Sequence, residues 1–176
     1  MGGLISVNVH QLDVKSMKDR DRFEVIKEEL KVHPERSNEK NKQGETPLHE
    51  CAKKGSGIER FIDLFASHGG NCNIPNNDGL TVLHINCTYG GGLIDLFVQK
   101  GANVNALDNE GQGPVMYGLA HRNASIVEVL KRLSPICRLL TFLYRNCGSM
   151  ERTSISKAKK VTNDIRLQLR RSLTLS

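Results

Sequence analysis

Two short segments of the sequence place a histidine close to a cysteine, a pairing that can bind metal or support nucleophilic catalysis. His49 lies two positions before Cys51, and His84 lies three positions before Cys87. A structural zinc site needs four such ligands, and neither segment supplies the second pair at the usual spacing. The sequence also lacks a Walker loop and the GxSxG and HExxH motifs. We therefore expect no metal, no cofactor and no enzymatic activity.

Both segments belong to a repeated pattern, which gives the histidines a structural explanation. The segment GETPLH at 44–49 recurs as GLTVLH at 79–84 and, in a weaker form, as GQGPVM at 111–116. The glycines that open the copies are 35 and 32 residues apart. Each copy is followed by a second apolar segment with helical spacing, and the first two are then followed by an Asn-rich turn. A fixed period of this length indicates stacked supersecondary units.

The pattern resembles the ankyrin repeat. The matching segments are TPLHECA at 46–52, TVLHINC at 81–87 and GANVNALDNEG at 101–111, and the period agrees with the family value of about 33 residues. The resemblance covers roughly residues 20–135 and implies an all-α solenoid of stacked helix pairs with turn or hairpin tips. RFEVIKEEL at 22–30 is interpreted as the second helix of a degenerate first unit, so we expect about four repeats, including degenerate terminal ones.

Several residues of the repeat have predicted structural roles. Thr46 is placed to cap the first helix of its unit, and Pro47 lies in the first turn, where a missing N–H has no cost. The resemblance implies that His49 hydrogen-bonds the threonine side chain and the neighbouring turn backbone. In the third copy Gly113 and Met116 replace the threonine and the histidine, which removes about 1 kcal/mol of capping.

The glycine-rich segment at 89–92 is a second departure from the pattern. Glycine inside a helix costs roughly 0.5–1 kcal/mol relative to alanine. The middle unit is therefore expected to be locally weak if these glycines intrude on helix ends.

The five cysteines are widely spaced and form no CxxC motif. Cys51 and Cys87 occupy small helix positions and are expected to be buried thiols. The sequence shows no signal peptide and no apolar segment of 18 residues. These features favour a reducing intracellular compartment, and we expect a cytoplasmic protein, with the nucleus and the membrane periphery as alternatives.

The pattern and the charge divide the chain into three parts. Residues 148–176 hold seven Lys or Arg against two Asp or Glu, so this tail carries +5 of the net charge of +6. A basic amphipathic helix is predicted at 161–173, and a solvated tail is the alternative. Such a helix would suit nuclear import, an anionic membrane surface or an acidic partner. The expected division is 1–18 flexible N-terminus, 19–147 repeat domain with units at 19–41, 42–76, 77–108 and 109–147, and 148–176 basic tail.

The first residues, MGGLIS, match the N-myristoylation pattern at Gly2. One acyl chain gives only weak membrane binding, so the basic tail would have to act as a second signal. An unmodified N-terminus is the other interpretation.

The resemblance implies a function in binding another protein. In ankyrin arrays partners contact the concave face, which consists of the turn tips and the solvent side of each first helix. We expect an adaptor or inhibitor in signalling. We do not expect nucleic-acid binding, because the repeat region is nearly neutral and aromatic residues are scarce. The residues at these positions are Lys42, Gln43, Glu45, Lys53, Lys54, Asn77, Asp78, Thr88, Tyr89, Asn109, Glu110, Tyr117 and His121.

Two narrower hypotheses remain open. In length and architecture the chain is similar to small inhibitor-of-NF-kappa-B-like proteins, and that similarity implies masking of a Rel-type transcription factor. A membrane-associated scaffold that uses myristoylated Gly2 and the basic tail is the alternative.

Overall fold

The structure, a computed structural model, describes residues 19–55 and 57–146, with side-chain surroundings from residue 22 to residue 142. These ranges contain eight α-helices, one 3-10 helix and no β-strand, which confirms the predicted all-α class. The N-terminal segment with Gly2, Cys147 and the whole basic tail, including the helix predicted at 161–173, lie outside the described residues. The helices are α1 Asp19–Val32, α2 Pro47–Lys54, α3 Glu59–Ser67, α4 Val82–Thr88, α5 Ile94–Gln99, α6 Pro114–Ala120, α7 Ala124–Leu133 and α8 Pro135–Asn146, and the 3-10 helix is Pro34–Asn38.

The helices form two layers that stack along the chain. In the first layer α2 packs on α4 and α4 packs on α6, while in the second layer α1 packs on α3 and α5 packs on α7. Each first-layer helix also packs on the helix that follows it in sequence. The helix at 19–32 therefore takes the place of a second helix in an N-terminal unit, as its apolar pattern predicts.

A single apolar core runs between the two layers through all the units. Its largest fully buried side chains include Leu48 and Leu83 from the first layer and Phe65 and Phe97 from the second. No helix pair could bury these side chains alone, so each unit depends on its neighbours for stability.

The three turns that precede α2, α4 and α6 share one side-chain device. Asn41, Asn76 and Asp108 each use Oδ1 to accept hydrogen bonds from the backbone N–H groups two and four residues later, at 2.8–3.0 Å. Hydrogen bonds from backbone N–H groups to Asn and Asp side chains stabilise turns of this kind. The turns are consequently fixed in the same shape in each unit.

Asparagine side chains also join each turn to its neighbour. Asn77 donates from Nδ2 to the carbonyl of Lys42, and Asn109 donates from Nδ2 to the carbonyl of Asn77, at 3.1 and 3.0 Å. On the opposite edge, Asn73 donates to the carbonyl of Gly101 at 2.8 Å. The Asn-rich composition of the turns is therefore explained by contacts between units.

The C-terminal helix α8 closes the described stack. It packs against α6 and α7, as the apolar pattern after Ser134 predicts. The Ser134 hydroxyl lies 2.7 Å from Oδ1 of Asn105, a position that corresponds to Asn73 in the preceding unit. The equivalent asparagine therefore makes the contact to the next element at both places, and at the end of the described stack its partner is a serine side chain.

The glycines at 90–92 lie between helices and do not interrupt them. Helix α4 ends at Thr88 and α5 begins at Ile94. Gly91 has φ +71°, and a Cβ at this position would overlap the Ile126 side chain of the next unit. The condition for a weak middle unit is therefore not met, and Gly91 is required for contact between units.

Gly91→Ala is expected to lower the free energy of unfolding by about 1–3 kcal/mol, because it adds both backbone strain and a steric overlap. Urea unfolding of the purified protein measures the change. Gly92→Ala is the matched control, since its Cβ would meet open space and a change within about 0.5 kcal/mol is expected. Equal losses in the two variants would contradict the proposed contact.

Candidate functional site

Both candidate histidines have all their ring nitrogens engaged in hydrogen bonds. Nδ1 of His49 accepts the Thr46 N–H at 3.1 Å and lies 2.8 Å from Oγ1 of the same residue. Because Nδ1 is the acceptor, Nε2 carries the proton, and it donates to the carbonyl of Leu80 at 3.0 Å. These contacts confirm the predicted hydrogen bonds of His49 to the threonine and to the backbone of a turn. The turn, which contains Leu80, belongs to the next unit.

His84 repeats the arrangement one unit later. Its Nδ1 accepts the Thr81 N–H at 3.1 Å, and its Nε2 donates to the carbonyl of Gln112 at 3.0 Å. Both rings are fully buried. Burial lowers the pKa of both imidazoles below the ordinary value of 6.5, although the backbone carbonyl bond opposes this shift. Neither histidine has a nitrogen available for a metal or for proton transfer to a substrate.

The third unit lacks this pair, and a different contact takes its place. Gly113 and Met116 provide neither the hydroxyl nor the imidazole, as the sequence indicates. Instead the Tyr117 ring packs edge-on against His84 with centroids 5.4 Å apart. The Tyr117 hydroxyl donates to Oδ2 of Asp108 at 2.6 Å, which ties α6 to its own turn.

The described cysteines are free, buried thiols. Cys51 and Cys87 are fully buried, as predicted, and burial raises the pKa of the Cys87 thiol to about 12. A thiol with so high a pKa is not a nucleophile at neutral pH. In the described part of the chain, no three His, Cys, Asp or Glu side chains converge on a point that would hold a metal ion.

Some of the sequence-predicted binding residues lie at the turn tips, and the others lie at the base of the turns or on the first helices. Six of them lie exposed at the turn tips, and two of these, Asn77 and Asn109, also bond to the preceding turn through Nδ2. The exposed tip residues are Lys42, Gln43, Asn77, Asp78, Asn109 and Glu110.

Glu45 differs from the expectation of an exposed turn-tip residue. Its exposed fraction is 7%, and its carboxylate accepts a hydrogen bond from Lys53 Nζ at 2.6 Å. Lys53 also contacts Glu50 at 3.3 Å and is only partly exposed. The pair therefore braces α2 against its turn, and the Lys53 side chain is 27% exposed and paired with two carboxylates.

Three predicted residues at equivalent positions form a row on the surface. Lys54, Tyr89 and His121 each lie eight residues after the residue that caps the first helix of their unit, and all three are exposed. Tyr89 is 59% exposed, which is high for an aromatic side chain. Thr88 precedes it and bonds from its hydroxyl to the His84 carbonyl at 3.0 Å.

Arg122 follows His121 in the sequence, is also exposed and extends this row. It has φ +53°, whereas the other two units have glycine at this position, Gly55 and Gly90, both with positive φ. An arginine in the left-handed region is strained relative to glycine. We refer to Lys54, Tyr89, His121 and Arg122 as the edge row.

Comparison with known families agrees with the geometry. A family model described as ankyrin repeats in three copies matches residues 17–106. The chain therefore belongs to the ankyrin repeat family, whose members are typically non-enzymatic protein-interaction modules. A search of curated proteins found no match. The match includes the degenerate first unit, and helices α6 and α7 continue the same stacking beyond it.

Lys53 and Lys54 are adjacent in sequence but differ in their contacts, and this difference predicts opposite effects on stability. Lys53→Met is expected to lower the free energy of unfolding by about 1 kcal/mol, because Glu45 loses its charged partner. Lys54→Met should change it by less than about 0.5 kcal/mol. Chemical unfolding of both variants is the measurement, and a larger loss for Lys54→Met would contradict this assignment.

The buried imidazoles predict a decrease in stability toward acid pH. Well above pH 6.5 the rings are neutral in the folded and unfolded chain, so pH has no effect through them. Below it the unfolded chain takes up protons first, and the free energy of unfolding falls. In urea titrations we expect the free energy of unfolding to decline between about pH 7 and pH 5. The decline should be less steep in His49→Gln/His84→Gln. An equal pH dependence in the two proteins would contradict the assignment of the decline to these imidazoles.

Proposed function

We propose that this chain is a non-enzymatic adaptor or inhibitor that binds another protein through its concave ankyrin surface. The observation that carries the proposal is the edge row, because its side chains are exposed at matching positions in three successive units. The same helices bury their other faces in the core. A rigid scaffold with a periodic exposed row suits a partner segment that runs along the stack.

Tyr89 is the expected anchor of this surface. Aromatic side chains bury a large area at little entropic cost and are enriched among interface hot spots. Lys54 and Arg122 place a positive charge on either side of it along the stack. A partner segment with an apolar group and acidic neighbours would therefore complement the row.

Masking of a Rel-type transcription factor is the narrower form of this proposal. It is supported by the ankyrin architecture, which the inhibitor-of-NF-kappa-B-like proteins share. An inhibitor of this kind would act in the cytoplasm, which is the location we propose. Titration of a purified Rel-type factor into the protein tests this form alone, because absence of binding leaves other protein partners open.

A membrane-associated scaffold is the second candidate function. The observations that favour it are the myristoylation pattern at Gly2 and the +5 charge of residues 148–176. None of the described helices is long and apolar enough to cross a bilayer, so any attachment by them would be peripheral. Gly2→Ala should release the protein from the membrane fraction of cells if the acyl chain is required.

Lys54→Glu/Tyr89→Ala is expected to weaken partner binding by about tenfold or more. Lys53 is left unchanged because its charge stabilises Glu45. Affinity purification from cell lysate with mass-spectrometric readout identifies the partner, and titration then measures the loss. Val25→Ala/Lys27→Glu on α1 is the matched control, since it also removes an exposed apolar side chain and reverses one lysine. Partners retained by the edge-row variant but lost by the control would overturn the proposal.

A further inference from the structure

Helix α8 carries apolar side chains on two faces, although only one face is in the core. Cys137, Leu140 and Thr141 are buried against the stack. Ile136, Leu139 and Phe142 are 38%, 44% and 61% exposed. These last three, which we call the α8 stripe, are three of the seven large apolar side chains that are exposed in the described part of the chain.

The spacing of the α8 stripe places its side chains next to one another. Residues three apart on a helix are neighbours on its surface, so the stripe is a continuous apolar strip at the end of the solenoid. The core does not need it, because the other face of α8 already packs against α6 and α7. A strip of this kind is typical of a surface that contacts something else.

The charge of the chain changes sign close to this helix. Residues 131–176 contain 11 Lys or Arg and 2 Asp or Glu, a net charge of +9, whereas residues 1–130 contain 14 and 17, a net charge of −3. Lys131, Arg132 and Arg138 line the groove between α7 and α8 together with Glu128. Lys131 pairs with Glu128 at 2.9 Å and Arg132 pairs with Asp95 at 3.1 Å, whereas Arg138 is exposed on α8 itself. The apolar strip therefore has Arg138 beside it and is followed in sequence by the basic residues 148–176.

We propose that the C-terminal end of the solenoid docks on an anionic lipid surface. The α8 stripe would lie at the boundary between headgroups and acyl chains, with the surrounding cations beside the lipid phosphates. This combination of apolar insertion and basic flanks is how amphipathic helices bind acidic membranes. The edge row lies at the ends of the first-layer helices and not on α8, so a protein partner and a lipid surface would contact different residues.

The chemistry of the strip favours lipid over other anionic partners. Nucleic acid is bound through phosphate contacts and aromatic stacking, and two of the three stripe residues, Ile136 and Leu139, are aliphatic. A second copy of the chain would bring two regions of net charge +9 together, which like-charge repulsion opposes. An acidic lipid surface satisfies both the charge and the apolar side chains.

The test is co-sedimentation of the full chain with vesicles, using protein whose Gly2 is unmodified by mass measurement. Vesicles of phosphatidylcholine with about 30% phosphatidylserine provide the anionic surface, and pure phosphatidylcholine is the comparison. Leu139→Gln/Phe142→Gln removes the two most exposed side chains of the stripe without touching the core. Val25→Gln/Val32→Gln on α1 is the matched control, since both valines are also exposed, at 43% and 71%.

The proposal predicts binding to the anionic vesicles that weakens with salt and falls about tenfold or more in Leu139→Gln/Phe142→Gln. Val25→Gln/Val32→Gln should bind as the wild type does. The proposal is overturned by undiminished binding of the stripe variant, which would assign attachment to the basic tail alone. Binding to duplex DNA without binding to vesicles, or a dimer that the stripe substitutions dissolve, would also overturn it. Failure here leaves partner binding by the edge row unaffected.

Discussion

The hydrogen bond from a buried imidazole to a carbonyl of the next unit is the contact on which the register of the exposed surface depends. His49 reaches the turn at Leu80 and His84 reaches the turn at Gln112, so each helix start fixes the following unit. The apolar core supplies most of the favourable free energy of folding, but apolar packing is non-directional and does not fix the orientation of one unit relative to the next. These directional bonds hold successive first helices in the same orientation, and exposed residues at equivalent positions therefore form a row.

The first-layer helices show how scaffold and surface are divided within one short segment. In α2, the buried His49 and Cys51 serve the stack, Lys53 stabilises the turn, and only Lys54 is left to face a partner. In the following units the equivalent positions stay buried, although Met116 replaces the histidine in the third unit, and the exposed position changes to Tyr89 and to His121. Specificity can thus vary from unit to unit without cost to the core.

The fold was largely predictable from the sequence because a repeat of fixed period reports both helix pairs and their stacking. The capping position of Thr46 and the hydrogen bonds of His49 followed from the same pattern, whereas the bonds by which asparagines join neighbouring turns were found only in the structure. The brace between Glu45 and Lys53 was not predictable, because the side chains are eight residues apart and meet only through the bend between turn and helix. The stripe on α8 was missed for a similar reason, since an apolar run does not show which of its two faces the stack will cover.

The central claim is that the edge row is the surface that meets a protein partner. Hydrogen exchange of the chain, alone and with a partner bound, tests this most directly. The account predicts slower exchange in segments that contain Lys54, Tyr89 and His121, with no change in the outer helices α3 and α5. Slower exchange confined to α1 or α8, with the edge row unaffected, would contradict it.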